Sequence, residues 1–199
     1  MVKMLDFEKI VMAINYFSRE KYEKSIDKLD VLKLIYLADR YHLRKFGRLI
    51  TGDNYIAMQL GPVPSVAKNI CNKHSSLTKE QRDFAYKYLL VNDNSTDVHS
   101  KRGEKDCFCV SEKEALKTAL SISFKEEDLP DFTHHFPEWK KYESKLLTPD
   151  SCCKMNHMDF FLPMKEEEYE YCNISQRLLN SSKEKYLETK AFEEFIKRK

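Results

Sequence analysis

Glycine is scarce in this sequence, with only 4 Gly among 199 residues. Neither G-x-x-x-x-G-K-[ST] nor G-x-G-x-x-G occurs in it. Both motifs use glycines to bring backbone N–H groups close to a phosphate. Their absence excludes a phosphate-binding loop of either type, and with it the common nucleotide-binding enzymes.

Long apolar runs are missing as well. No apolar run approaches the roughly 18 residues that a membrane-spanning helix needs. The segment Met1–Val11 carries charged side chains where a signal peptide would have its apolar region. We therefore expect a cytoplasmic protein that has no membrane partner.

A strong charge of one sign is also absent, because 34 Lys and Arg face 32 Asp and Glu and leave a net charge of +2. A dedicated nucleic-acid-binding domain is usually much more basic. Residues 1–75 alone carry 13 basic and 8 acidic side chains. This mildly basic N-terminal third keeps a nucleic-acid-binding regulator open as an alternative function.

The 6 cysteines fall partly into two groups, which could be considered as zinc ligands. They are Cys107 with Cys109, and Cys152, Cys153 and Cys172 with His157. Their spacing matches no common zinc motif. The alternation in Cys107–Val110 predicts instead a short strand with both thiols on one face. We expect reduced thiols, no metal and no cofactor.

Apolar residues at helical spacing predict helices at about residues 6–20 and 27–46. The second is apolar on more than one face, which places it at the centre of the domain. Tyr55–Leu60 and Cys107–Val110 predict two short strands, whereas the polar stretch Asn92–Asp106 is typical of a loop. The expected fold class is α+β and mainly α-helical, a compact helical domain with a small two-stranded β element.

Prolines divide the chain further. The run Gly61-Pro62-Val63-Pro64 predicts a rigid corner without regular structure, which serves the scaffold or is presented to a partner. Pro149 suggests a boundary between a domain at residues 1–148 and a helical extension at residues 149–199. The apolar positions of Ile174–Phe195 could form one amphipathic face, which either completes the core or contacts a partner.

An ordered series of motifs resembles a known family. It consists of L-K-L-I-Y-L-A-D-R-Y-H-L at residues 32–43, G-R at 47–48, I-T-G-D at 50–53 and G-P-V-P-S at 61–65. The series resembles the Panacea domain, a family also described as phage-associated or SocA/GepA-like. Ser111–Leu120 and Thr133-His134 followed by Trp139 are similar to its distal elements, so the resemblance covers about residues 5–147.

The resemblance implies a mainly helical antitoxin of a toxin–antitoxin system. Such a protein neutralises a toxin encoded by a neighbouring gene through direct protein–protein binding, so the implied partner is the cognate protein toxin. The residues that carry the motifs, or that could contact the partner, are Asp39, Arg40, His42, Asp53, Gly61, Pro62, Val63, Pro64, Thr133, His134 and Trp139.

The residues themselves supply no catalytic machinery. Asp39 and Arg40 fall in the most apolar helix, where an unpaired charge is costly, so each is expected to have a partner or to face a groove. Their helical positions give them different neighbours. His42, His134 and His135 could act as bases, but no G-x-S-x-G or H-E-x-x-H motif provides a reaction partner. We expect no enzymatic activity, with an enzyme as the less favoured alternative, and expect His134 to pack beside Trp139.

Overall fold

The computed structural model describes residues 4–103, 105–163 and 174–197. Its helices are α1 (Met4–Glu20), α2 (Lys28–Phe46), α3 (Ser65–Cys71), α4 (Lys79–Tyr88), α5 (Val110–Ile122), α6 (Leu129–His134), α7 (Pro137–Glu143) and α8 (Gln176–Lys197). Its strands are β1 (Ser25–Asp27), β2 (Tyr55–Met58), β3 (Gly61–Pro64), β4 (Leu89–Val91), β5 (Asp97–Ser100) and β6 (Cys152–Lys154). Short 3₁₀ helices span Tyr22–Lys24 and His157–Phe161. The mainly helical α+β class is confirmed.

Helix α2 lies at the centre of the fold, as its apolar pattern predicts. It begins at an N-cap, where Asp27 Oδ1 accepts a hydrogen bond from the Leu29 N–H at 2.7 Å. It ends at Gly47, whose φ of 75° is the left-handed conformation that favours glycine. Helices α1, α3, α5, α6 and α8 and strands β1 and β3 all contact it. The side chains on α2 therefore decide how the other elements are placed.

The expected two-stranded element is wrong, because the described chain forms two antiparallel three-stranded sheets. Their strand orders are β1-β5-β4 and β3-β2-β6. The predicted strand Cys107–Val110 is not a strand, because Glu112 Oε2 accepts a hydrogen bond from the Cys109 N–H at 3.0 Å and starts α5 there. The stretch Asn92–Asp106, expected as a loop, contains β5, which forms a hairpin with β4 and also pairs with β1, a strand far away along the chain.

Strand β3 corrects the expectation that prolines would prevent regular structure at residues 61–64. The Ser65 N–H donates to Asn54 O at 2.8 Å, just beyond the end of the ladder. Because hydrogen-bonded positions alternate along an antiparallel pair, the backbone N–H groups of Gly61 and Val63 point towards β2. Pro62 and Pro64 then fall at positions where no donor to β2 is needed. The prolines are compatible with an edge strand.

The residues after Pro149 are built into the same core. Strand β6 pairs with β2, and Phe160 and Phe161 are buried. Arg44 Nη1 donates to Phe160 O at 2.7 Å and to Leu162 O at 3.0 Å, which ties this segment to α2. The composition of residues 158–164 predicts a short extended piece, but residues 157–161 form a 3₁₀ helix and residue 164 lies outside the described residues. The boundary between residues 148 and 149 stays a prediction.

Helix α8 packs directly against the end of α2. A Cβ atom on Gly47 would lie 2.6 Å from Ser182 O and 3.1 Å from Lys185 Cβ. Ser182 Oγ donates to Lys45 O at 2.8 Å and so occupies one of the carbonyls that the end of α2 leaves without a helical partner. Glycine at position 47 is required both by its backbone conformation and by the close approach of α8.

We expect Gly47→Ala to lower the free energy of unfolding by more than about 1 kcal/mol, because it adds left-handed strain and a collision with the α8 backbone. Denaturant titration followed by circular dichroism measures this change. Gly103→Ala is the matched control, since nothing lies within 4 Å of a Cβ there. Equal unfolding midpoints for the two variants would contradict the packing of α8 on Gly47.

Candidate functional site

Asp39 is a fully buried carboxylate that organises the chain after α2. Its Oδ1 accepts hydrogen bonds from the Ile50 N–H at 2.6 Å and the Thr51 N–H at 3.0 Å. Its Oδ2 accepts from the Tyr55 hydroxyl at 2.7 Å and from the Thr51 hydroxyl. Burial raises the pKa of Asp39, and these hydrogen bonds act against that rise. Four donors occupy the carboxylate, so its role is to hold the loop and β2 against α2.

Asp53 has a similar role one step further along the chain. It is buried and accepts hydrogen bonds from the Asn54 N–H at 2.7 Å, the Val66 N–H at 3.0 Å and the Ala67 N–H at 3.0 Å. Burial raises its pKa to about 7, although the N–H groups of Val66 and Ala67 act to lower it. Asp53 thereby fixes the start of α3 beside β2.

Arg40 points to a different neighbour and forms a buried ion pair with Glu138 of α7. The Arg40 Nε to Glu138 Oε1 distance is 2.5 Å, and the side chains are 4% and 0% exposed. The Tyr36 hydroxyl donates to the same Oε1 at 2.7 Å, and the Arg40 guanidinium carbon lies 4.2 Å from the centre of the Phe136 ring. The expectation that Asp39 and Arg40 have separate partners is confirmed.

We expect Arg40→Met to destabilise the protein by about 3–5 kcal/mol, because it leaves the Glu138 carboxylate buried without its cation. Lys45→Met is the control on the same helix, since the Lys45–Glu114 pair is 32% and 43% exposed and a surface pair contributes about 1 kcal/mol or less. Thermal melts give both values. If adding Glu138→Met to Arg40→Met recovers no stability, the loss does not come from an uncompensated carboxylate.

His42 joins α2 to α5. Its Nδ1 lies 2.7 Å from Arg48 O and its Nε2 lies 3.0 Å from Ser111 Oγ. Burial is the main reason that its pKa falls to about 4. The neutral ring therefore donates a hydrogen bond from Nδ1 to Arg48 O and accepts a hydrogen bond from the Ser111 hydroxyl at Nε2. The contact between Ser111 and His42 resembles that of a nucleophile with its general base. A base with so low a pKa, however, has little tendency to take a proton from a hydroxyl at neutral pH.

Beside His42, the buried carboxylate of Glu112 connects α1, the residues after α2, and α5. Glu112 accepts hydrogen bonds from Lys9 Nζ at 2.7 Å and from Arg48 Nη1 at 2.5 Å. Burial acts to raise the pKa of Glu112, but these two hydrogen bonds outweigh it and lower the pKa to about 2. The motif S-E-K-E suggests a capping box that begins at Ser111, whereas the structure places the N-cap at Cys109 and Glu112 at the third helical position.

The Gly61–Pro64 run is buried and packs between α2 and α6. Lys33 Nζ donates to Pro62 O at 3.0 Å. Gly61 has a φ of 97°, and a Cβ there would lie 2.6 Å from Thr133 Oγ1 and 2.8 Å from Lys33 Nζ. Val63 and Thr133 are buried as well. These contacts favour the scaffold interpretation of the proline corner.

His134 and Trp139 pack as expected, with ring centroids 4.0 Å apart and planes 23° apart. The Trp139 indole N–H donates to Met58 O at 3.0 Å, so this pair fixes the end of β2. Burial lowers the pKa of His134. The stack anchors α6 and α7 to the β2–β3 hairpin.

The contact between Lys33 and the β2–β3 hairpin can be tested by the pH dependence of protein stability. Its side chain is buried, and this burial lowers its pKa from 10.5 to about 7. Between these two pH values the unfolded chain holds a proton at Lys33 that the folded protein does not, so the contribution of Lys33 to stability rises with pH.

We therefore expect the stability of the wild type, measured relative to Lys33→Met, to increase between pH 7 and pH 10. Chemical denaturation of both proteins across this range measures the difference. Lys101→Met is the control, because it removes an exposed lysine and leaves the hairpin contact in place. A pH-independent difference for Lys33→Met would show that Lys33 keeps its proton throughout.

The predicted residues do not converge on one open site. Ten of the eleven are buried and His134 is half-buried. They form four groups around α2, centred on Asp39, on the Arg40–Glu138 pair, on His42 with Ser111, and on the β2–β3 hairpin. Sequence reasoning missed Glu138 as the partner of Arg40; the only available signal was a carboxylate next to Trp139 in an otherwise apolar turn.

Comparison with known proteins supports one family. A family model described as "Antitoxin SocA-like, Panacea domain" matches residues 31–140. No curated protein matches the chain, and no solved structure matches it. The matched range runs from α2 into α7 and contains all eleven predicted residues.

Two other features of the described residues bear on function. No three His, Cys, Asp or Glu side chains among them are grouped so that they could hold a metal ion; Cys172 lies outside these residues. None of the helices within the described ranges combines the length and the apolar character needed to cross a bilayer.

Proposed function

Because this chain belongs to the SocA-like antitoxin family with the Panacea domain, we propose that it neutralises a protein toxin, encoded by a neighbouring gene, by binding it directly in the cytoplasm. The family match over residues 31–140 is the observation that carries this proposal. Family membership favours a role without catalysis. The expected mechanism is stoichiometric masking of the toxin.

The geometry around α2 supports binding rather than chemistry. The carboxylate of Asp39 is occupied by internal donors, and His42 is held neutral between Arg48 O and Ser111. The family-like residues therefore act as a framework, which holds surfaces in place for a partner. The contact surface itself is expected on exposed residues elsewhere.

The basic N-terminal third gives less support to nucleic-acid binding than its composition suggests. Lys33, Arg40 and Arg44 are buried. Lys9 and Arg48 are both paired with Glu112. Burial of the first three and neutralisation of the other two by a carboxylate leave these cations less available to a phosphate backbone.

The test is co-expression of the adjacent open reading frame with and without this chain, followed by calorimetric titration of the two purified proteins. We expect toxicity that this chain suppresses, and binding that saturates at a fixed molar ratio. Leu34→Asp is the control, because a charge at this buried position unfolds the domain and should abolish protection.

Two results would contradict direct masking. Protection at strongly substoichiometric amounts would indicate turnover. The absence of toxin binding, combined with DNA affinity that falls steeply with salt, would favour the nucleic-acid-binding regulator.

A further inference from the structure

Helix α8 has two parts with different surroundings. In the first part, Leu179, Ser182 and Tyr186 are buried against the domain. Their spacing places them on one face of the helix. The Tyr186 ring lies 5.9 Å from the Phe161 ring, centre to centre. This inner face anchors α8 to α2 and to the 3₁₀ helix at residues 157–161.

Beyond Tyr186 the anchoring ends. We call residues 187–197 the distal segment; 11 helical residues extend about 16 Å. Between Leu187 and Ile196 every side chain is exposed except that of Glu193, which is half-buried. Leu187, Phe192 and Ile196 remain 46%, 63% and 56% exposed. Such apolar exposure on consecutive turns differs from the single exposed apolar residues of an ordinary surface.

The direction of these side chains follows from helical geometry. At about 100° per residue, Leu187 lies about 100° from Tyr186 around the helix axis, and Phe192 lies about 120° from it on the other side. Both positions face away from the surface on which Tyr186 packs. The domain, which buries Tyr186, leaves both side chains exposed.

Two carboxylates lie between Leu187 and Phe192 around the helix axis. Glu184 and Glu188 each lie about 160° from Tyr186 around the helix axis, one on either side. Both are therefore on the helix face opposite Tyr186. Both are exposed, and neither forms an ion pair with any other described residue, whereas Lys190 pairs with Glu193 at 3.2 Å. Like charges four residues apart destabilise an isolated helix. A cationic partner would remove this repulsion.

We propose that the distal segment, together with Glu184 and Glu188, docks into an apolar groove of the toxin that is bordered by Lys or Arg side chains. This proposal rests on the proposed antitoxin function and assigns its contact surface. An amphipathic helix commonly binds a protein groove in this way. The unpaired carboxylates select a basic partner, because a second copy of this chain would present the same acidic pair.

Point variants of the full chain test the proposal better than truncation after Pro149, because that truncation would remove β6 and the buried residues Phe160 and Phe161. The apolar variant is Leu187→Ser/Phe192→Ser, and its control is Leu147→Ser, at a side chain that is 80% exposed elsewhere. The charge variant is Glu184→Lys/Glu188→Lys. Its control, Asp83→Lys/Glu143→Lys, changes the net charge equally at exposed positions.

The measurements are thermal melting, oligomeric state, and binding kinetics with the product of the adjacent open reading frame. We expect all four variants to melt like wild type. The apolar variant should raise Kd at least about tenfold. The charge variant should mainly slow association, and added salt should bring the wild-type association rate towards that of the charge variant. The controls should bind like wild type.

Three results would overturn the proposal. Binding of both distal variants within about threefold of wild type would show that this face makes no contact. A wild-type dimer that dissociates on Leu187→Ser/Phe192→Ser would assign the face to a second copy. Failure of wild type itself to bind the adjacent gene product would overturn the antitoxin function together with this surface.

Discussion

Charged groups that α2 carries into the core fix the positions of β2, α7 and the segment that follows β6. Asp39 holds the loop and β2, Arg40 holds α7, and Arg44 holds the segment at residues 160–162. Removing such charges from water is costly unless each finds a complementary group. A wrong arrangement of loops and helices around α2 would leave them unsatisfied. The buried polar contacts thus select one arrangement among many that would bury the same apolar surface.

The sequence predicted the elements whose signal is local. The helices near residues 6–20 and 27–46 and the stop at Gly47 depend on periodicity and backbone conformation, which neighbouring residues determine. Strand β5 at residues 97–100 is the middle strand of its sheet, and its other neighbour besides the nearby β4 is β1, which is far away along the chain. Hence the two three-stranded sheets could not be predicted from residues 92–106 alone.

The candidate site shows the same division. The expectation that Asp39 and Arg40 need partners follows from the cost of burying charge, and it was correct. The identity of the partners does not follow: Glu138 is 98 residues from Arg40. Pro62 and Pro64 led to the wrong prediction that residues 61–64 lack regular structure. The effect of a proline depends on which backbone groups face the neighbouring strand. Pattern reasoning finds residues that need a contact, whereas only the fold decides which contact is made.

The contact between Gly47 and α8 has a consequence for recognition. Because the backbone of Ser182 sits directly on the end of α2, the anchored half of α8 has little freedom to move. The exposed half continues the same helix without a break, so its direction and rotation are set before any partner arrives. A flexible tail would lose conformational entropy on binding, which weakens affinity for a given contact area. Because the exposed turns continue a helix that is already anchored, part of that entropy is lost during folding, and a partner that binds there has less of it left to remove.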